Sequence, residues 1–274
     1  MQLDRFDEAK AVLESELARN PDETLLHDTL LQIAYTQGDG ASAGRQIEWF
    51  AGRPSEYTSL QRQAENAKTL GRLREAAGLI RQANELRQRR SLPPLPSPSE
   101  EDQALLGACE PTRTAGAPSA LALALCGNAA QAAQALKRAE EASAQRPDDE
   151  LLNAIQIPMF RAAADPTKAI DLLQSVARYE RAYPEAVYLR GIIYLRAGKG
   201  VEASTEFQKI LDHKGANWGP FYPISYVGLA RGAILAGDSV RAKRAYQDFF
   251  ALWKDADPDI SILKEAHKEY AALK

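Results

Sequence analysis

Side chains able to do chemistry are few in this sequence, and none converge. The three histidines, His27, His213 and His267, stand far apart and lack acidic or cysteine neighbours at metal-ligand spacing. Glu140/Glu141 and Asp148/Asp149 pair carboxylates, but as sequence neighbours on polar helix ends, where hydration accounts for them without acid–base work. The phosphate-cradling patterns GxxxxGK[ST] and GxGxxG are absent. So are HExxH and the HRD and DFG triplets of phosphoryl transfer. The residues therefore predict no catalytic or metal site and no cofactor.

Composition narrows the class further. With 45 % hydrophobic and 26 % charged residues the chain reads as a soluble protein, and a formal net charge of −3 argues against general nucleic-acid binding. The charge is unevenly spread. Residues 61–90 hold eight Lys/Arg against three Glu and end in RQRR at 87–90. Cations at a helix C-terminus oppose the macrodipole, which suffices as an explanation; contact with nucleic acid or an acidic surface is the alternative. The most apolar run, 120–126, is far short of the roughly 20 residues of a membrane span. The charged start, MQLDRFDEAK, has no signal-peptide core. Cys109 and Cys126 lie 17 apart without a CxxC or histidine partner. Their ordinary reading is two small buried apolar side chains; a disulfide is the alternative and would favour an oxidising compartment.

Behind these residues lies a repeat. Gly38/Ala43, Gly71/Ala76, Gly127/Ala132, Gly198/Ala203 and Gly237/Ala242 share one offset, and Ala9 and Ala169 stand in equivalent surroundings. Steps between the seven alanines are 34, 33, 56, 37, 34 and 39 residues. A period near 34 predicts stacked helix pairs. In the cleanest copy, 183–211, Val187, Gly191, Tyr194 and Leu195 make one helical stripe, and Ala203, Phe207, Ile210 and Leu211 the returning one. Gly198 ends the first helix, and small Gly191 and Ala203 permit a close crossing. Pro21, Pro54, Pro147 and Pro258 mark joints between units.

This grammar resembles the tetratricopeptide repeat (TPR). The resemblance implies an all-α, TPR-like α-solenoid, a right-handed superhelix of antiparallel helix pairs, with a capping helix at 260–273. It divides the chain into N-terminal units over 1–90, a Pro-rich linker at 91–99, and C-terminal units with the cap over 100–274. Residues 4–20 read as a second helix without its first, so we expect a piece of a longer protein; the unmatched helix also offers a surface for a homodimer. We expect an irregular loop near 109–118, where Pro111, Gly116 and Pro118 interrupt the pattern, and aromatic packing or a binding spot at 213–223, with Trp218, Phe221 and Tyr222.

More narrowly, EFQKILDH (206–213) and AYQDFFALWKDADPDISILKEA (245–266) resemble TPR regions of large bacterial membrane-anchored regulators, the eukaryotic-like serine/threonine kinases above all. That implies a scaffold for a protein or peptide, outside the cytoplasmic membrane, with a cytoplasmic location the alternative. Carrying the family's concave-face positions across gives Gln32, Tyr35, Gln61, Glu65, Lys68, Arg161, Tyr188, Arg196 and Arg231 as binding residues. The paired Lys and Asn set that clamps chaperone tails is missing, so no chaperone-tail reader is expected. Nucleic acid is not an expected partner of the scaffold; the basic 61–90 stretch is the alternative surface.

Overall fold

The structure, a computed structural model, describes residues 4–95, 105–107, 119–126 and 129–273. Among these the fold is all-α, with fifteen α-helices and no strand. In chain order the first five are α1 (Phe6–Arg19), α2 (Thr24–Gln37), α3 (Gly40–Phe50), α4 (Glu56–Thr69) and α5 (Leu73–Gln88). Next come α6 (Ala120–Leu125), α7 (Ala129–Gln145), α8 (Ile157–Ala164), α9 (Ala169–Gln174) and α10 (Pro184–Arg196). The last are α11 (Gly200–Leu211), α12 (Lys214–Asn217), α13 (Phe221–Leu235), α14 (Ser239–Leu252) and α15 (Ser261–Ala272). Most of the expected irregular loop, Cys109, Gly127 and the end of the Pro-rich linker lie outside the described residues.

Two compact units result. The first joins Met1–Ser97 to His213–Pro220 and Trp253–Asp257; the second takes Pro98–Asp212, Phe221–Leu252 and Pro258–Lys274.

In the first unit, helix pairs are closed by a glycine and restarted by a cap. Gly38 ends α2 at φ +74, and Asp39 accepts from the Ser42 N–H at 2.9 Å to begin α3. Gly71, at φ +71, ends the turn after α4, but Arg72 follows it and cannot cap α5. Asp257 fills that gap from 183 residues away, its Oδ2 accepting from the Arg74 N–H at 2.9 Å. The Asp257 N–H donates to the Gly71 carbonyl, and Trp253 donates its indole N–H to Thr69 O, each at 2.9 Å. A Cβ on Gly71 would meet Ala256 at 2.7 Å and the Trp253 ring at 3.0 Å, so glycine is required here by both conformation and space. The start of the unit is tied in the same manner: Asp4 accepts from the Gly215 N–H at 2.5 Å, and Trp218 donates to Asn66 Oδ1 at 3.2 Å.

The second unit is organised around one ring. Phe207 of α11 lies where Cβ atoms on Gly191 (α10) and Gly228 (α13) would stand, 2.7 and 2.5 Å from ring atoms. A Cβ on Gly200 would come within 2.5 Å of the Gly232 carbonyl, so α11 and α13 meet backbone to backbone. Tyr188 packs edge-on against both Phe207 and Phe221. Of the aromatic residues in 213–223, Phe221 and Tyr222 are buried at the start of α13, whereas Trp218, in the first unit, is half-buried. Pro158 leaves a different mark. Lacking an N–H, it cannot close an ordinary helical ladder, and the backbone just before α8 loosens into a π-helical turn, Leu152–Gln156.

Chemical denaturation should find Trp253→Ala about 3–5 kcal/mol less stable, by loss of a buried ring, and Asp257→Ala about 1 kcal/mol less stable, by loss of a cap. A Trp253→Ala protein as stable as the parent would show that this ring does not hold the first unit together. Gly191→Ala should cost about 1–3 kcal/mol through overpacking against Phe207, and Gly198→Ala, which has open space but φ +70, about 1–2 kcal/mol through backbone strain alone.

Candidate binding face and its neighbours

Of the nine residues the repeat register nominates, three meet in one network. On α2, Gln32 donates to Asp28 Oδ2 at 3.0 Å. Asp28 is 5 % exposed and also accepts two bonds from Arg62 of α4, at 2.8 and 3.0 Å. The third Arg62 contact reaches Glu65 at 2.8 Å, and Gln61 donates to the other Glu65 oxygen at 2.9 Å. Hydrogen bonding to Asp28 raises the guanidinium pKa, so Arg62 stays charged. Two consecutive first helices are thus joined by a forked Arg–carboxylate pair, with Gln32, Gln61 and Glu65 half-buried along it. Neither Asp28 nor Arg62 was among the nominated residues. Their signal was the 34-residue offset between them, one repeat length.

Tyr35 and Lys68 lie half-buried on the same two helices. Burial pushes the Tyr35 phenol up to about 12, against the pull of Arg72, so it remains a neutral donor.

The four nominated residues of the second unit have other occupations. Tyr188 is a core residue, 4 % exposed, packed on Phe207 and Phe221, and burial pushes its phenol to about 12. It is not a surface contact, because at this point α10 turns its tyrosine toward the aromatic cluster. Arg196 donates to the carbonyls of Ala124 and Leu125 at 2.8 and 3.1 Å, satisfying the end of α6. Arg231 binds Glu269 and Glu265, and Tyr246 joins Glu269. Arg161 pairs with Glu140 at 2.8 Å.

A cleft of about 220 Å³ opens between α1, α2 and α3, lined among others by Lys10, Glu14, His27, Asp39, Ser42 and Arg45. It holds serine, histidine and aspartate, and residues 40–44 read GASAG, a match to the GxSxG pattern of serine hydrolases. The geometry is not that of a nucleophile. Ser42 sits in the first turn of α3, with no strand before it, donating to Asp39 at 2.5 Å and accepting from Arg45 at 2.7 Å. His27 faces Gln46 Oε1 at 2.7 Å and the Pro21 carbonyl at 3.0 Å, and stacks on Trp49, so neither ring nitrogen serves Ser42. His213 lies beside Asp4, and His267 stacks on Phe250.

Compared with models of known protein families and with curated proteins, the chain matches none.

Among the described residues no helix is long and apolar enough to cross a membrane. No group of three or more His, Cys, Asp or Glu among them is placed to hold a metal ion. Cys126, at the end of α6 beside the carbonyls that Arg196 binds, is disulfide-bonded and exposed, not a buried apolar side chain. Cys109 lies outside the described residues. A crosslink stabilises chiefly by restricting the unfolded chain. Cys126→Ser, or strong reductant on the parent, should therefore lower unfolding stability by about 3 kcal/mol. An unchanged melting curve with and without reductant would contradict that bond.

Proposed function

We propose that this chain is a non-catalytic TPR-type scaffold, a solenoid of helix pairs, whose first helices α2 and α4 hold a protein or peptide. The observation that carries the reading is the Asp28–Arg62–Glu65 network with Gln32 and Gln61 beside it. These side chains are held in place by one another, so a ligand would lose little freedom in ordering them. Glu65, 45 % exposed, offers a carboxylate, and the amides offer both donors and acceptors to a peptide backbone. Recurrence supports the solenoid: Gly38, Gly71, Gly198 and Gly237 all have φ between +70 and +80, each followed by a new helix within three residues.

The larger setting follows from the resemblance of 206–213 and 245–266: the sensory or assembly region of a bacterial membrane regulator of the eukaryotic-like kinase type, outside the cytoplasmic membrane. The disulfide at Cys126 suits such an oxidising compartment.

A tiled peptide array probed with the chain should return ligands rich in lysine, arginine or amide side chains. Changing Gln61→Ala and Glu65→Ala together should weaken them about tenfold, and Arg161→Ala should leave them unchanged. Ligands that ignore the double change would place the binding face elsewhere.

A further inference from the structure

We propose a second docking surface, on the outer face of α5, that takes an acidic segment of a partner polypeptide through Arg81, Arg89 and Arg90. It lies apart from the α2–α4 face and goes beyond the reading made there.

The arginines of the first unit divide sharply. Arg5, Arg19, Arg53 and Arg62 each hold a carboxylate, Arg45 binds Ser42, and Arg72 binds Glu75. The side chains of Arg81, Arg89 and Arg90 are exposed and have no hydrogen-bond, ion-pair or ring partner among the described residues. The macrodipole does not account for all three. Arg87 already occupies the last turn of α5, where it binds the Pro93 carbonyl at 2.7 Å and covers the Tyr57 ring at 5.2 Å. Arg81 lies mid-helix, beyond the reach of that field.

Spacing defines the partner. Arg81, Glu85 and Arg89 follow at i, i+4 and i+8, so they share one face, and the two arginines are about 12 Å apart along the axis. Glu85 stands between them, exposed and paired with neither. The strip therefore reads positive, negative, positive, with Arg90 adding charge at its end. A complementary polypeptide presents carboxylates about 12 Å apart with a neutral or basic residue between. Nucleic acid fits worse. Its evenly spaced phosphates would meet Glu85, α5 offers no aromatic side chain for base stacking, and three arginines without a partner among the described residues give a polyanion few contacts. Outside residues 61–90 the chain is net negative, which disfavours a long polyanion further.

The test uses the full chain and fluorescence anisotropy. The probes are a labelled peptide with two Glu pairs about four residues apart, which spans about 13 Å when extended, and a lysine between them, its Glu→Gln counterpart, and a single-stranded oligonucleotide of equal charge. At about 50 mM salt the Glu peptide should bind at least about tenfold tighter than either control, and lose affinity as salt rises. The triple variant Arg81→Glu, Arg89→Glu, Arg90→Glu should abolish this binding while its circular dichroism and melting temperature stay those of the parent. Gln61→Ala with Glu65→Ala should leave it intact, which separates this surface from the α2–α4 face. No binding of the Glu peptide, equal binding of the oligonucleotide, or retention by the triple variant would each overturn the proposal. If the triple variant misfolds, Arg81→Gln alone supplies the reading: a several-fold loss supports the surface, and no change overturns it.

Discussion

Helices in this protein approach one another where side chains are missing, and the ring of Phe207 shows how much follows from that. It occupies space that a single methyl group on Gly191 or Gly228 would fill. Dispersion across such contacts is small per atom pair but accumulates over a whole ring face, and it vanishes quickly with a gap of half an ångström or more. The spacing set by Gly191, Gly200, Gly228 and Gly232 fixes the axial positions of α10, α11 and α13. With those positions set, Tyr188 has nowhere to go but inward, and Arg190, 2 % exposed, meets Glu206 at 2.8 Å with Glu180 beside it. The buried guanidinium is tolerable only because both carboxylates are delivered to it.

The first unit obeys the same constraint with a different remedy. Close approach at Gly71 leaves α5 starting on Arg72, a residue that cannot accept the orphan N–H groups of a helix start. Gly38–Asp39 and Gly237–Asp238 solve this locally, with aspartates that accept from Ser42 and Arg241. At Gly71 the cap arrives from Asp257, along with Trp253, and the first unit is stabilised by residues far downstream in the chain. A polar network can then be held rigidly on α2 and α4, because the helices that carry it are anchored on other sides.

Much of the helical layout was legible. The periodic stripes, the spaced Gly and Ala residues and the joint prolines anticipate α2 to α5, α10, α11, α13 and α14, since helix stops and small-residue crossings are local or nearly local properties. The candidate face was only partly legible. Register placed Gln32, Gln61 and Glu65 near one another, yet it passed over Asp28 and Arg62, which join them. It also assigned to the surface Tyr188, which is buried, and it nominated Arg196 and Arg231, which are held by α6 carbonyls and α15 carboxylates. Register gives the side of a helix a residue occupies; it does not give which neighbour has already claimed its donors.

What the sequence by itself determined, then, is the set of helices and the turns between them, because backbone conformation at Gly38 or Gly71 and the apolar period depend on residues a few places apart. Only the tertiary structure decided that Asp257 caps α5, that the exposed Cys126 is crosslinked, and which arginine side chains find a partner among the described residues: Arg87 folds onto Tyr57 and Pro93, whereas Arg81, Arg89 and Arg90 reach none. Such pairings turn on distances of a few ångströms between residues far apart in sequence, and hydrogen bonds and ion pairs fall off too steeply with distance for composition or spacing to reveal them.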